Sequence, residues 1–298
     1  MTEQAPHPAA LPGSDHPTGA MVAAIYGDLT PHPWLPADLD TDDALTARMI
    51  DHSMAMGWLD GRGPVPVTAG QANHALGGAP GLWVLNDAGR EHPHGSTTPP
   101  LVAWFHANIR PVHPDRPLPT EPFLRCAGDA LNRIGHLNVQ AVQILLPIQM
   151  LNTSPRLDPV NQPSLLTSGR FHGGDPTAAT DVVLSLDSGQ EPWAATMAAG
   201  LCEQAGIGDP PILVLHEHLP TDTARIAPPF GDWLWKGPPL HRVTARGTLA
   251  EWSLDTVGWL GAHLADQSAR NGGTCPALFT IRRDDPAFDA AVPAPPGN

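Results

Sequence analysis

The chain has 298 residues, 41% of them hydrophobic, and a formal net charge of −14 with one lysine, Lys236. That length supports one large core or two smaller ones. The charge excludes nucleic acid and anionic lipid as partners, because both are held by Lys/Arg contacts to phosphate, and no run of roughly eighteen apolar residues is present to cross a membrane.

Residues 1–20 have neither a basic start nor an apolar run and read as a Pro/His-rich tail, not a signal peptide. A short strand is expected over 21–27, then a helix from Thr41 to about Leu59. Asp42 and Asp43 suit the positive end of that helix, and Leu45, Met49, His52, Met56 and Leu59 mark one face. Strands are expected over 82–85 and 101–109, with a turn between Asp87 and Pro100. Thr120 is the expected cap of a second helix, with Pro122 in its first turn and Gly135 at its end, and a strand over 141–148 follows.

The Pro/Gly-rich stretch 151–180 reads as a linker or long loop. Beyond it the pattern gives a strand over 181–186, a helix over 192–205, and strands over 212–218 and 242–245. Thr248-Leu-Ala-Glu251 has the form of a capping box for a last helix, which is apolar over much of its circumference. A closing strand over 277–281 precedes a tail over 284–298. Glu121-Pro122-Phe123 and Glu191-Pro192-Trp193 each open a helix seventy positions apart, which reads either as a common helix start or as the trace of a duplication. The expected fold class is α+β, as two packed ferredoxin-like βαββαβ units. An N-terminal unit over 21–150 is followed by a better defined C-terminal unit over 181–283.

Chemistry is expected chiefly from histidine, of which there are 15. In Leu215-His216-Glu217-His218 the period of a strand places His216 and His218 on one face, where they can chelate a divalent transition metal if a third ligand arrives. His172, His241, His106 and Asp187 are the candidates for that third ligand. Without metal, the same pair serves acid–base chemistry or is ordinary for a strand end. His106 shares a strand face with Trp104 and Asn108, so that His106 is a candidate general base and Asn108 an orienting or substrate-contacting group. Asp187 closes an apolar strand as a candidate catalytic carboxylate. Trp233 and Trp235, flanking Leu234 before Lys236, read as a ligand-contacting lid or as anchors of a loop. His52 and His263 fall on apolar helix faces.

Cys126, Cys202 and Cys275 are widely spaced, as reduced thiols of a cytoplasmic protein would be. No GxGxxG, GxxxxGK[ST] or GxSxG motif occurs. The expectation is an enzyme of small-molecule metabolism using histidine-based acid–base or metal chemistry. The alternative is a non-catalytic binding or assembly partner, and a homo-oligomer is compatible with either.

Overall fold

The computed structural model describes residues 19–36, 41–60, 81–93, 95–151, 178–194, 207, 211–220, 226–235, 237 and 240–285. The expected tails, His172, Cys202, Lys236 and most of the expected helix over 192–205 lie outside these residues. So does almost all of the expected linker.

Eight strands form one sheet: β1 (Gly19–Pro31), β2 (Val84–Gly89), β3 (Leu101–Ile109), β4 (Gly135–Leu146), β5 (Thr180–Asp187), β6 (Leu213–Leu219), β7 (Arg242–Leu249) and β8 (Ala277–Arg283). Among the described residues three α-helices accompany them, α1 (Thr41–Ala55), α2 (Thr120–Asn132) and α3 (Leu254–Arg270). Across the sheet the order is β2-β3-β1-β4-β8-β5-β7-β6, and every neighbouring pair is antiparallel. The protein is therefore α+β, and no described helix is long and apolar enough to cross a membrane.

Read from either edge inward, the two halves place their strands in the same succession. Their registers agree as well. Trp104, His106 and Asn108 of β3 stand opposite Ala24, Val22 and Ala20 of β1. Thr244, Arg246 and Thr248 of β7 stand in the same way opposite Ser185, Val183 and Asp181 of β5. Both edge strands break register at one residue, between Leu85 and Asp87 in β2 and between Leu215 and Glu217 in β6. The two Glu-Pro-aromatic starts do not mark this relation. Glu121 opens the helix between β3 and β4, whereas Glu191 lies between β5 and β6, which is not the corresponding place.

Strand alternation divides the side chains between two faces. Met21, Ala23, Ile25, Phe105, Ala107, Val142, Ile144, Val182, Leu184, Phe279 and Ile281 join the buried faces of the helices in one core. Within it the Trp83 ring meets Phe123 edge-on at 5.3 Å. α2 and α3 lie against each other: a Cβ on Gly258 would fall 2.6 Å from the Glu121 Cα, and one on Gly128 would fall 2.7 Å from Leu254 Cδ1.

Several expected boundaries move, each for a local reason. Thr120 does not cap α2; its hydroxyl donates to the Gly258 carbonyl at 2.6 Å and ties α2 to α3. Gly135 begins β4 instead of ending a helix. The capping box at Thr248–Glu251 does not form, because Thr248 and Leu249 are paired with β5 as the end of β7. The cap of α3 is Ser253, whose Oγ accepts the Thr256 N–H at 3.2 Å. Ser253→Ala is expected to cost about 1 kcal/mol in a urea melt. Glu251→Ala should leave stability within about 0.5 kcal/mol, as for an exposed position away from any cap.

Candidate functional site

The far face of the sheet has no α-helix packed on it among the described residues. Part of it is covered by the chain between β6 and β7. There Phe230, Leu234 and Trp235 pack on Val22, Leu145 and Leu278, and Ile226 packs on Ala24, Tyr26 and Ala141. The contact is polar as well as apolar. Gln143 Nε2 donates to the Ile226 carbonyl at 2.8 Å and to Thr280 Oγ1 at 3.2 Å. Tyr26 donates its hydroxyl proton to Gln143 Oε1 at 2.6 Å, and burial pushes its pKa far up, so it is a fixed hydrogen-bond donor and not a base. His92 Nε2 lies 3.0 Å from the Ala227 carbonyl.

Beside this covered region the face opens on β3 and β2. Trp104, His106 and Asn108 alternate along β3 and are each half-buried. His106 has Val22 on one side and Asp87 of β2 on the other. The bulge in β2 leaves Asn86 as the extra residue, and its Nδ2 lies 3.3 Å from His106 Nε2. With that amide donating, the ring proton resides on Nδ1. Burial lowers the His106 pKa and the Asp87 charge draws it partly back, so the imidazole is neutral at pH 7 with one nitrogen able to accept and the other to donate. A neutral imidazole flanked by a carboxylate and two amides, on a half-open surface with an indole beside it, can hold and move a proton on a bound ligand.

The other sequence-derived candidates fall elsewhere. His216 is the extra residue of the β6 bulge, so period two fails there. Its Nε2 lies 2.7 Å from Thr248 Oγ1, which donates to Asp181 Oδ1 at 2.8 Å on the far face. His218 stands opposite Ala245, whose neighbour on β5 is Leu184 of the helix-side core. The expected chelating pair is thus split between two faces. No group of three His, Cys, Asp or Glu able to hold a metal occurs among the described residues. His106 lies six strands from β6, about 29 Å at normal strand spacing, and Asp187 and His241 sit at the opposite end of β7 from Thr248.

Asp187 has a structural place. It is 1% exposed, its Oδ2 lies 3.1 Å from Arg242 Nε, and its Oδ1 accepts the Gly189 N–H at 2.9 Å. It closes the β5 turn onto the start of β7. Trp235 is 4% exposed and pins its segment to the sheet, whereas Trp233 is 65% exposed. Trp235 thus makes the anchoring contact with the sheet that is one of its two expected roles. Asn108 does share the face of His106. His52 Nε2 lies 3.3 Å from Asp129 Oδ2, and His263 stacks on Trp259 at 5.3 Å. Cys126 is buried beside Ser53 and its thiol is pushed up to about 11, which keeps it protonated and unreactive.

Asn86 and Asp87 were not legible as site residues, since Asp87 reads as the start of a turn. One signal does point to them. Val84-Leu85-Asn86-Asp87 matches Val214-Leu215-His216-Glu217 in pattern, and both segments are bulged at the third residue. Facing them, His106 of β3 corresponds to Arg246 of β7, which is ion-paired with Glu217 and with Asp284.

Burial of His106 and His263 sets a sign for pH dependence. Both pKa values are lowered by desolvation from the ordinary 6.5, so the unfolded chain takes up protons first as pH falls. Stability is full above pH 6.5, declines below it, and levels off once pH passes the lowered folded values. Urea midpoints measured at pH 7.5, 6.0 and 5.0 should fall in that order. The fall should be smaller in a His106→Gln/His263→Gln variant.

Comparison of the chain with protein-family models, curated proteins and solved structures finds no match.

Proposed function

We propose that the chain is a tandem pair of ferredoxin-like βαββαβ units joined edge to edge through β4 and β8. On this reading the N-terminal unit keeps an acid–base site at His106 while the C-terminal unit has turned the corresponding position into an ion-pair network. The protein is then an enzyme of small-molecule metabolism, with His106 as the proton-transferring group, Asp87 and Asn86 as its positioning partners, and Asn108 and Trp104 as ligand contacts. The observation that supports this reading is the desolvated His106 facing Asp87 at a bulge, since bulges recur beside active sites where they re-aim a side chain. The free thiols at Cys126 and Cys275 fit a cytoplasmic location.

A second reading is a non-catalytic binding or assembly partner. Trp233 and Leu240, 65% and 64% exposed on the covering chain, are the apolar side chains it would offer.

A metabolite library screened by chemical-shift perturbation separates the two readings. Ligands of the first shift the His106 ring and the Asn108 amide, and His106→Gln lowers turnover of any hit with slow conversion by about 10²-fold or more. Ligands that leave these resonances unmoved, or turnover that survives His106→Gln and falls in a His216→Ala/His218→Ala variant, would remove His106 from the proposal.

A further inference from the structure

On the helix side, β4 runs on past the end of β8. Residues Gly135–Val139 pair with β1, whereas β8 begins to pair only at Ala141. A cavity of roughly 160 Å³ occupies the space left there. Its walls are Leu137, Val139 and Val142 of β4 and Leu254 and Val257 of α3, with Asn138, Trp252, Ser253 and Arg283 completing the lining. Trp252 is held in place by donating its indole N–H to the Val139 carbonyl at 2.9 Å. The Arg283 guanidinium lies over that indole, 5.4 Å from the ring centroid.

Arg283 differs from the cations around it. Arg125 is paired with Asp255 and Glu121, Arg246 with Glu217 and Asp284, and Arg242 with Asp187. Arg283 has no carboxylate in ion-pair range among the described residues, although Asp284 is its neighbour in sequence. It is positioned by a cation–π contact, and no group among the described residues accepts from its guanidinium donors. Five aliphatic side chains give the chamber a hydrocarbon wall beside the polar surface of Asn138, Ser253 and Arg283, and its volume is that of a six-membered ring, since a cavity of about 150 Å³ takes up benzene.

We infer that this cavity is a binding site for a small monocarboxylate with a ring or branched hydrocarbon body. The body fills the chamber between β4 and α3, and the carboxylate meets Arg283 at the mouth. The site lies on the opposite side of the sheet from His106 and does not depend on the acid–base reading. Its polar end is a planar guanidinium suited to a two-oxygen anion.

Benzoate and benzyl alcohol are the probes, titrated into the full chain by calorimetry with the Trp252 indole N–H followed by NMR. Benzoate is expected to bind and to shift that resonance. Arg283→Gln, at an exposed position, should weaken benzoate about tenfold or more, as expected for loss of a charge-assisted contact, and leave benzyl alcohol unchanged. Val257→Phe should abolish binding of both by filling the chamber. Absence of benzoate binding at millimolar concentration, or benzoate affinity unchanged in Arg283→Gln, overturns the assignment. Should Val257→Phe fail to fold, Arg283→Gln alone still decides it.

Discussion

Asp187→Ala is expected to destabilise the protein by about 3–5 kcal/mol, because it removes the carboxylate paired with a buried guanidinium. The carboxylate is 1% exposed and the Arg242 side chain 9%. Removing Asp187 also frees the Gly189 N–H, whose residue accepts the amides of Leu240 and His241 through its carbonyl. Asp187→Asn keeps an acceptor for Gly189 and loses the charge, so its cost should be smaller. Arg242→Met in the Asp187→Ala background should recover part of the loss, since an apolar pair in place of a buried ion pair is often neutral. Urea unfolding of the four proteins measures this. A catalytic Asp187 would show the reverse pattern, with activity lost at unchanged stability, and that outcome would return it to the site.

Gly258→Ala should destabilise by about 2–3 kcal/mol although alanine is the better helix former by about 1 kcal/mol. The new Cβ would lie 2.6 Å from the Glu121 Cα and 2.9 Å from the Thr120 carbonyl, and backbone cannot swing aside. Relief requires α2 and α3 to part, which breaks the Thr120–Gly258 hydrogen bond. Gly128→Ala is the control. Its Cβ meets only the Leu254 side chain within 4 Å, the nearest atom being the Cδ1 at 2.7 Å, and a rotamer change there absorbs the clash. Thermal denaturation of both variants should show a large drop for Gly258→Ala and little change for Gly128→Ala. A drop for Gly258→Ala as small as that for Gly128→Ala would mean that the helix contact is looser than the geometry requires.

The contrast between legible and hidden features follows from how local each signal is. Leu101–Ile109 reads as a strand to the residue because it opens on a β-branched and aromatic run and alternates from Ala103 to Ile109. The mixed α+β class was legible from the succession of periods, but the single sheet was not, since nothing local tells β4 that its neighbour will be β8. Thr248–Glu251 matches a capping box as well as any tetrad can, yet Thr248 is claimed by Asp181 across the strands and Ser253 takes the role of cap. The histidine pair failed for a different reason. One inserted residue at a bulge reverses every later side chain, and counting by twos cannot detect it. Asp187 and Trp235 look alike as functional or structural residues until Arg242 and Leu278 are seen beside them. His106 and Asn108 share a face as their spacing predicts, because both lie beyond the register shift of β3 at Val102, where the alternation holds.

The place of β8 has a consequence for synthesis. Among the described residues it is the last strand in chain order, yet it lies between β4 and β5 and is the one strand that pairs the two halves of the sheet. A ribosome that has released residues up to Leu146 has made all four strands of the first half, which can pair at once. The second half can already reach the first through the chain between β6 and β7 and through α3, but β5, β6 and β7 gain no strand pairing with it until Ala277–Arg283 emerges. During that interval the outward edges of β4 and β5 are open to pairing with other chains, as unpaired edges are. Nascent chains stalled before Ala277 should therefore be the aggregation-prone species, and quality control in the cell would meet this protein at its final strand.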